Sequence, residues 1–425
     1  ARRFTSLLVA GALASAGAFS LVSNRSSFVL RQPVCSRTAG CASRTVPTAS
    51  LNVGQHKVAR GERTQLDAAT GFTFPSLDSL LGTPKKMATK KLCVVTGASS
   101  GLGKATVKAL ADNDDYFVVC AVRDPEKMKR VAEELELRPT SYKIMELDLA
   151  NLQSVRSFAK ALKAFASNRS IDSLICNAAV YQPAKDVPNW TDDGFEMQLG
   201  VNHLGHFLLV SLLMDTIKKA KDPRVVIVGS ITGNSNSIGG GLVLPRADLG
   251  QLQGLEKGGV KPVSMVDGKP FNGAKAYKDS KVLNMMTVNE LHKRYHESTG
   301  ITFSSMYPGC IAETALFREK RQWFRTIFPL FMKYVTGGYV GEKEAGERLA
   351  MCVTEDRTRK SGVYWSWNGD AKQVGVLKDG IVVGAGGSGG DIFENEQSEM
   401  VKDAKRAEKM FELSSQVTGA VWPKA

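Results

Sequence analysis

The chain has little of what would take it out of the globular class. No apolar run reaches the ~18 residues that a membrane-spanning helix needs; the nearest are residues 7–18 and 207–214. The 40 glycines and 15 prolines show no collagen-like or low-complexity bias, and 43% hydrophobic residues against 23% charged ones can form a real core. The seven cysteines are an odd set without a C-x-x-C pair or zinc spacing, so a reduced compartment is expected. At 425 residues the length admits one large domain with extensions, or two domains. A fibre is excluded, an integral membrane protein disfavoured, and a globular enzyme is the leading class.

Acidic residues are missing altogether from residues 1–61, which carry eight basic ones. Setting those eight aside reduces the net charge from +14 to +6, so most of the basic excess belongs to one segment and does not argue for nucleic acid. That segment opens with Arg2-Arg3, passes through the apolar run at 7–18 and the small residues Ala16-Gly17-Ala18, and continues rich in Ser, Thr and Arg to about residue 61. It reads as a removable address, a signal-like start followed by a transit-like tail. The tandem resembles the bipartite presequences of plastids bounded by extra membranes. Residues 62–90 read as a linker.

From Lys91 the pattern alternates short β-branched runs with helical stretches, the signature of a Rossmann-like, doubly wound parallel sheet covered on both faces. Strands are expected at 92–96, 116–122, 142–146, 173–176, 224–229 and 302–307, with a seventh at 362–365. The clearest helices are 103–112, 126–137, 152–165, 194–220 with a break, and 276–297. Two stretches interrupt the rhythm of this single domain (91–425): an insertion at 233–273, and a glycine-rich loop at 380–390. Cys93, Cys120 and Cys176 fall in or beside strands and read as small core hydrophobes. Cys310 sits in a loop that invites chemistry.

The first strand runs into Thr96-Gly97-Ala98-Ser99-Ser100-Gly101-Leu102-Gly103 and then a helix. Glycines allow the tight turn and let a pyrophosphate approach the backbone, while the helix N-terminus offers free N–H groups and a favourable dipole. The second strand ends in Val122-Arg123-Asp124-Pro125-Glu126-Lys127. An NAD enzyme would place a carboxylate where Arg123 stands. A guanidinium with Lys127 four residues on suits a 2′-phosphate, so NADPH is expected, although Asp124 either competes for that role or caps the next helix.

Tyr277 and Lys281, in Tyr277-Lys278-Asp279-Ser280-Lys281, lie at i and i+4 on one helix face. An ammonium one turn from a phenol favours its anion and should lower its pKa from ~10. Ser230 lies upstream at a strand end. His203 and His206 have no third ligand at suitable spacing, so packing or a water contact is the expected role, and no metal is expected.

The glycine loop, with Asn177-Ala178-Ala179 after the fourth strand, resembles the short-chain dehydrogenase/reductase superfamily. That resemblance implies that Asp148-Leu149 contact adenine, that Asn177 and Ala178 line the cofactor, and that Asn202 and Ser230 join Tyr277 and Lys281 as catalytic residues. Longer blocks are more specific. Gly229-Ser230-Ile231-Thr232-Gly233-Asn234, the stretch from Phe271 to Lys281, Tyr307-Pro308-Gly309-Cys310-Ile311 and Gly362-Val363-Tyr364-Trp365-Ser366-Trp367-Asn368 resemble the light-dependent protochlorophyllide oxidoreductase family over about residues 91–424, interrupted at 369–390.

This resemblance implies hydride transfer from NADPH to C17 of protochlorophyllide and protonation at C18, with light absorbed by the pigment. Tyr277 and Cys310 are the rival proton donors. It also implies Pro308 and Gly309 at the cofactor, and Thr232, Tyr307 and Cys310 at the pigment. Ser230 and Tyr277 are 47 residues apart, so the insertion between them is a plausible lid or wall for a macrocycle. Residues 317–339 interleave aromatics with basic residues, and Phe324, Phe328 and Phe331 recur at helical spacing, suited to closing over a porphyrin, resting on an anionic membrane or joining subunits. Peripheral contact with plastid membrane lipids and a pigment-dependent homo-oligomer are expected partners. A reductase of the retinol dehydrogenase type and a non-catalytic pigment carrier are the rivals.

Overall fold

The computed structural model describes residues 89–241, 243–311, 338–369, 375–376, 382–383 and 387–423. The expected presequence, most of the linker, and Phe324, Phe328 and Phe331 lie outside the described residues. Residues 81–425 form one compact unit.

The expected alternation is present. In chain order the main elements are β1 (Lys91–Thr96), α1 (Gly101–Asp112), β2 (Tyr116–Val122), α2 (Pro125–Glu134), β3 (Tyr142–Glu146), α3 (Leu152–Ala166), β4 (Ser173–Cys176), α4 (Met197–Ile217) and β5 (Arg224–Val228). There follow α5 (Gly273–Leu291), β6 (Thr302–Met306), α6 (Glu342–Thr354), β7 (Val363–Trp367), the two-residue strands β8 (Gly375–Val376) and β9 (Val382–Val383), β10 (Ile392–Glu394) and α7 (Ala404–Thr418).

Eight strands form one sheet in the order β10-β7-β6-β5-β4-β1-β2-β3, parallel except for β10, which runs antiparallel to β7. The order reverses between β4 and β1. This opens a crevice beyond their C-terminal ends, where ligands bind in such sheets. β2 is buried along its whole length, as a strand covered on both faces must be. Two apolar clusters, one per face, hold the layers together; Leu174 belongs to one and Ile175 to the other. Truncating such a side chain to alanine costs about 2–5 kcal/mol.

Helix starts follow local chemistry. Asp124 caps α2 through the Lys127 amide at 2.8 Å, with Pro125 in the first turn. Asn151 caps α3, Asn272 caps α5 and Asp403 caps α7 in the same way. The break expected within 194–220 is a π-turn at Gly200–Leu204, which carries Asn202. α4 is the helix among the described residues that is long and apolar enough to cross a membrane, and it is largely buried in the fold. The antiparallel β10 was not expected, because three residues give no periodicity to read.

Among its described residues the insertion forms the short helices Ile238–Gly241 and Gln253–Glu256, but it is not loose decoration. Leu249, Leu252, Leu255 and Val266 are buried in the main core. An ionic latch fastens it to α5: Lys275 pairs with Asp279 at 2.6 Å and with Asp267 at 3.0 Å, while the Asp248 amide donates to Asp279 at 2.9 Å.

Candidate active site

The glycine turn between β1 and α1 has the geometry of a phosphate cradle. Gly97 (φ +68°) and Gly101 (φ +52°) adopt left-handed backbone. A Cβ on Gly103 would lie 2.3 Å from the Gly97 carbonyl oxygen and 2.6 Å from the Asn177 amide nitrogen, so only glycine fits. Ser100 occupies the N-cap of α1 without a side-chain bond to the helix, and the first turn holds no acidic residue. Its leading N–H groups and dipole are thus available to an anion. Ser99 and Leu102 complete the turn.

The cradle is fixed from below. The Asn177 side chain donates to the Thr96 carbonyl at 2.8 Å, and the backbone N–H groups of Asn177 and Ala178 both donate to the Thr96 hydroxyl, at 2.9 and 3.0 Å. Arg123 and Lys127 are exposed beside the end of β2. The competing role for Asp124 falls away, since its carboxylate is committed to capping α2. Asp148 holds its own turn through the Ala150 amide at 2.9 Å, and neighbouring Leu149 is buried. These residues fit a dinucleotide carrying a 2′-phosphate.

Across the crevice α5 presents Tyr277. Its ring lies 4.6 Å, centroid to centroid, from that of Tyr181 in the loop after β4. Lys281 donates to the Val228 carbonyl at 2.8 Å and its amine stands 5.7 Å from the Tyr277 ring centre. The opposite face of α5 belongs to the insertion, with Lys275 and Asp279 in the latch and Lys278 donating to the Val243 carbonyl.

The expectation that Lys281 lowers the phenol's pKa is corrected here. Burial raises Tyr277 well above its ordinary value, the neighbouring Tyr181 phenol adds to the rise, and only hydrogen bonding with Ser230 opposes it. Burial also pushes Lys281 down to about 8. The lysine is spent on a carbonyl in a dry site, and desolvation outweighs its attraction. Tyr277 therefore keeps its proton at neutral pH. The Ser230 hydroxyl meets that of Thr232 at 2.9 Å, so the two residues form one polar edge after β5.

Asn202 is fully buried and faces the Val180 backbone, accepting its N–H at 2.8 Å and donating to its carbonyl at 3.0 Å. It also donates to the Ser280 hydroxyl at 3.0 Å, which donates to the Tyr277 carbonyl at 2.7 Å. Here it positions the Tyr181 loop against α5. His203 hydrogen-bonds Ser414 and His206 hydrogen-bonds Thr96, each at 2.9 Å.

After β6, Tyr307 and Pro308 lead to Gly309 (φ +116°) and Cys310. Tyr307 is buried; its amide donates to the Trp365 carbonyl at 2.9 Å, and burial drives its phenol far above the usual range. Cys310 is partly exposed, and burial of its thiol raises the pKa to about 12. Two residues escaped the sequence reading. Tyr181 could have been found, since it lies four positions beyond Asn177 in a post-strand loop at the ligand end of the sheet; Arg348 gave no local signal.

The short chain dehydrogenase family matches residues 91–242. A chloroplastic protochlorophyllide reductase of Marchantia paleacea is 51% identical over 341 residues, covering 79% of this chain and 70% of that protein. One from Daucus carota is 49% identical over 351 residues, covering 82% and 83%. One from Chlamydomonas reinhardtii is 49% identical over 332 residues, covering 78% of each. With its glycine cradle, tyrosine–lysine helix and cysteine loop in place, the chain belongs to the protochlorophyllide reductase family.

Proposed function

We propose that the chain reduces the C17–C18 double bond of protochlorophyllide to chlorophyllide in a light-driven, NADPH-dependent reaction of chlorophyll synthesis. The observation that carries this reading is Tyr277, a buried phenol whose ring lies 4.6 Å from that of Tyr181 and 5.7 Å from the Lys281 amine, on the helix that faces the crevice. NADPH, when bound, supplies the hydride that C17 receives, and the excited pigment is the acceptor.

The remaining work falls to the chain's own residues. Gly97, Ser99, Ser100, Gly101, Leu102 and Gly103 hold the pyrophosphate. Arg123 and Lys127 grip the 2′-phosphate, Asp148 and Leu149 face adenine, Asn177 and Ala178 line the middle, and Pro308 and Gly309 meet the nicotinamide end. Lys281 holds the ribose.

Tyr277 is the proton donor to C18. A donor must carry its proton beforehand and leave a tolerable anion afterwards. Tyr277 and Cys310 both meet the first condition. For the second, burial works against both anions, but the Tyr277 phenolate has the Ser230 hydroxyl as a hydrogen-bonding partner and the Lys281 amine 5.7 Å from its ring centre. Cys310 is then left to set the pigment's pose, with Thr232 and Tyr307 beside it. Asn202 keeps the Tyr181 loop in register.

The functional setting is the plastid, with residues 1–61 as a removable presequence and residues 91–425 as the reductase. The mature protein lies peripherally on internal membranes and self-associates when pigment is bound. The decisive test mixes full-length protein, NADPH and protochlorophyllide and compares absorption before and after a flash. Red-shifted chlorophyllide formed only after light supports the reading. Dark carbonyl turnover favours a retinol dehydrogenase-type enzyme, and binding without reaction favours a carrier.

A further inference from the structure

The loop carrying Pro308, Gly309 and Cys310 is held by a side chain from another part of the chain. Arg348, on α6, is only 3% exposed, and its Nη1 donates to the Pro308 carbonyl at 2.8 Å. Nη2 donates to the carbonyls of Gly387 and Gly389 at 2.7 and 2.8 Å and to the Glu344 carboxylate at 2.7 Å. The guanidinium stands 5.2 Å from the Trp367 ring centre. Glu344 in turn accepts the Gly389 N–H at 2.6 Å and the Ser388 hydroxyl. The platform is rigid, because a Cβ on Gly346 would lie 2.4 Å from that of Ala105: α6 is pressed against α1, the helix of the phosphate cradle.

The glycines that Arg348 grips sit where the chain after β7 closes on itself. A Cβ on Gly390 (φ +71°) would lie 2.3 Å from the Asn368 side-chain oxygen and 2.4 Å from the Gly369 carbonyl, and one on Gly369 would lie 3.0 Å from Gly387 Cα. A buried cation is a costly way to pack a helix, and an apolar side chain of similar volume often serves as well. What a planar guanidinium adds is several donors in a fixed fork. Here they hold two distant backbone segments in one geometry.

We propose that Arg348 is the positioning residue of the Cys310 loop, with the glycine neck at residues 369 and 387–390 as its counter-anchor. It touches no reacting atom; it sets where Gly309 and the Cys310 thiol stand toward the ligands. The neck is thereby part of the frame of the substrate site. The proposal rests on the function above only for the identity of those ligands.

The test uses the full chain in a Cys35→Ser/Cys41→Ser background; among the described residues Cys310 is the least buried thiol. Arg348→Gln, Arg348→Lys and Gly390→Val are compared by the dark alkylation rate of Cys310 with iodoacetamide, by protochlorophyllide and NADPH affinity, and by single-flash yield. Arg348→Gln should raise Cys310 alkylation at least ~5-fold by loosening its burial. It should weaken pigment affinity about 10-fold and NADPH affinity by less, since Pro308 and Gly309 meet only the nicotinamide end while the glycine cradle holds the rest of the cofactor. Arg348→Lys should be intermediate, and Gly390→Val should shift both readouts with the guanidinium intact.

Unchanged alkylation and pigment affinity in folded Arg348→Gln would overturn the proposal. So would a wild-type Gly390→Val, which carries the test if Arg348→Gln fails to fold. The expected alkylation pattern in a protein that reduces no pigment would uphold the positioning role while removing the functional reading.

Discussion

Thr96 and His206 meet with 2.9 Å between the threonine hydroxyl and the imidazole Nε2, at the point where β1 enters the glycine cradle. His206 Nδ1 faces the Asn202 carbonyl at 3.2 Å and must donate to it. Nε2 is then the acceptor, and the Thr96 hydroxyl donates to it while accepting the N–H groups of Asn177 and Ala178. One hydroxyl joins β1, the loop after β4, and α4. Replacing Thr96 with Val should leave the Ala178 N–H and an imidazole nitrogen unpaired, and the Asn177 N–H with the Ile175 carbonyl alone, costing about 2–4 kcal/mol in urea unfolding. A cost below ~0.5 kcal/mol would show that the hydroxyl carries no such burden.

The same histidine gives a signed pH dependence. Burial lowers His206 to about 4 and His203 to about 3. The unfolded chain binds their protons first, so the stability they contribute is complete above pH ~6.5 and is lost as pH falls toward the folded values. Glu196 and Asp279, both pushed up to about 7 by burial, slope the other way. The histidine part is therefore read by difference: His206→Gln should gain stability relative to wild type between pH 7 and 4.5 in melts at each pH. A gap constant with pH would contradict it.

Tyr277→Phe should lower single-flash photoconversion ~10²-fold or more while NADPH binding persists, because general-acid catalysis is typically worth 10²–10⁴-fold. Cys310→Ser should keep conversion within ~10-fold, within the range of a pose change, but move the absorption maximum of bound pigment. The reverse pattern, conversion surviving in the first variant and abolished in the second, would exchange the two roles.

Lys281, at about 8, is a cation below that pH and neutral above it. Its grip on ribose and its support of the phenolate should fade as pH rises through about 8, giving the proton-transfer rate a falling limb there. Lys281→Arg keeps its charge and should move that limb above pH ~10. Flash kinetics across pH 6–10.5 check this, and a limb unmoved by the substitution would assign it to another group.

Arg123→Ser should weaken NADPH ~10- to 100-fold, the value of a charge-assisted pair of about 1.5–3 kcal/mol, and leave NADH almost unchanged. Titration with both nucleotides is the readout; equal losses for both would place the 2′-phosphate elsewhere.

Several parts of the fold were legible because their cause is local. β2, β3 and β4 begin and end where their β-branched and aromatic runs do. Asp124 announces α2 through a cap that reaches only three residues, whereas α5 starts three residues before the expected 276, at a cap supplied by Asn272. The cradle was legible for the same reason: glycine at 97, 101 and 103 answers a backbone demand within one turn. β10 was hidden because its three residues become a strand only by pairing with β7.

Residue order and type determined where the parallel strands run, where a dinucleotide would lie, and that a phenol and an amine share one face of α5. Tertiary structure alone decided the electrostatics of that face. A pKa depends on how much water a group loses and on partners far away in the chain, so burial outweighed the lowering expected at Tyr277. It also decided which remote residues act at the site. His206 reaches Thr96 and Arg348 reaches Pro308 only once the layers are packed, because contacts between distant segments leave no periodicity or local spacing in the chain.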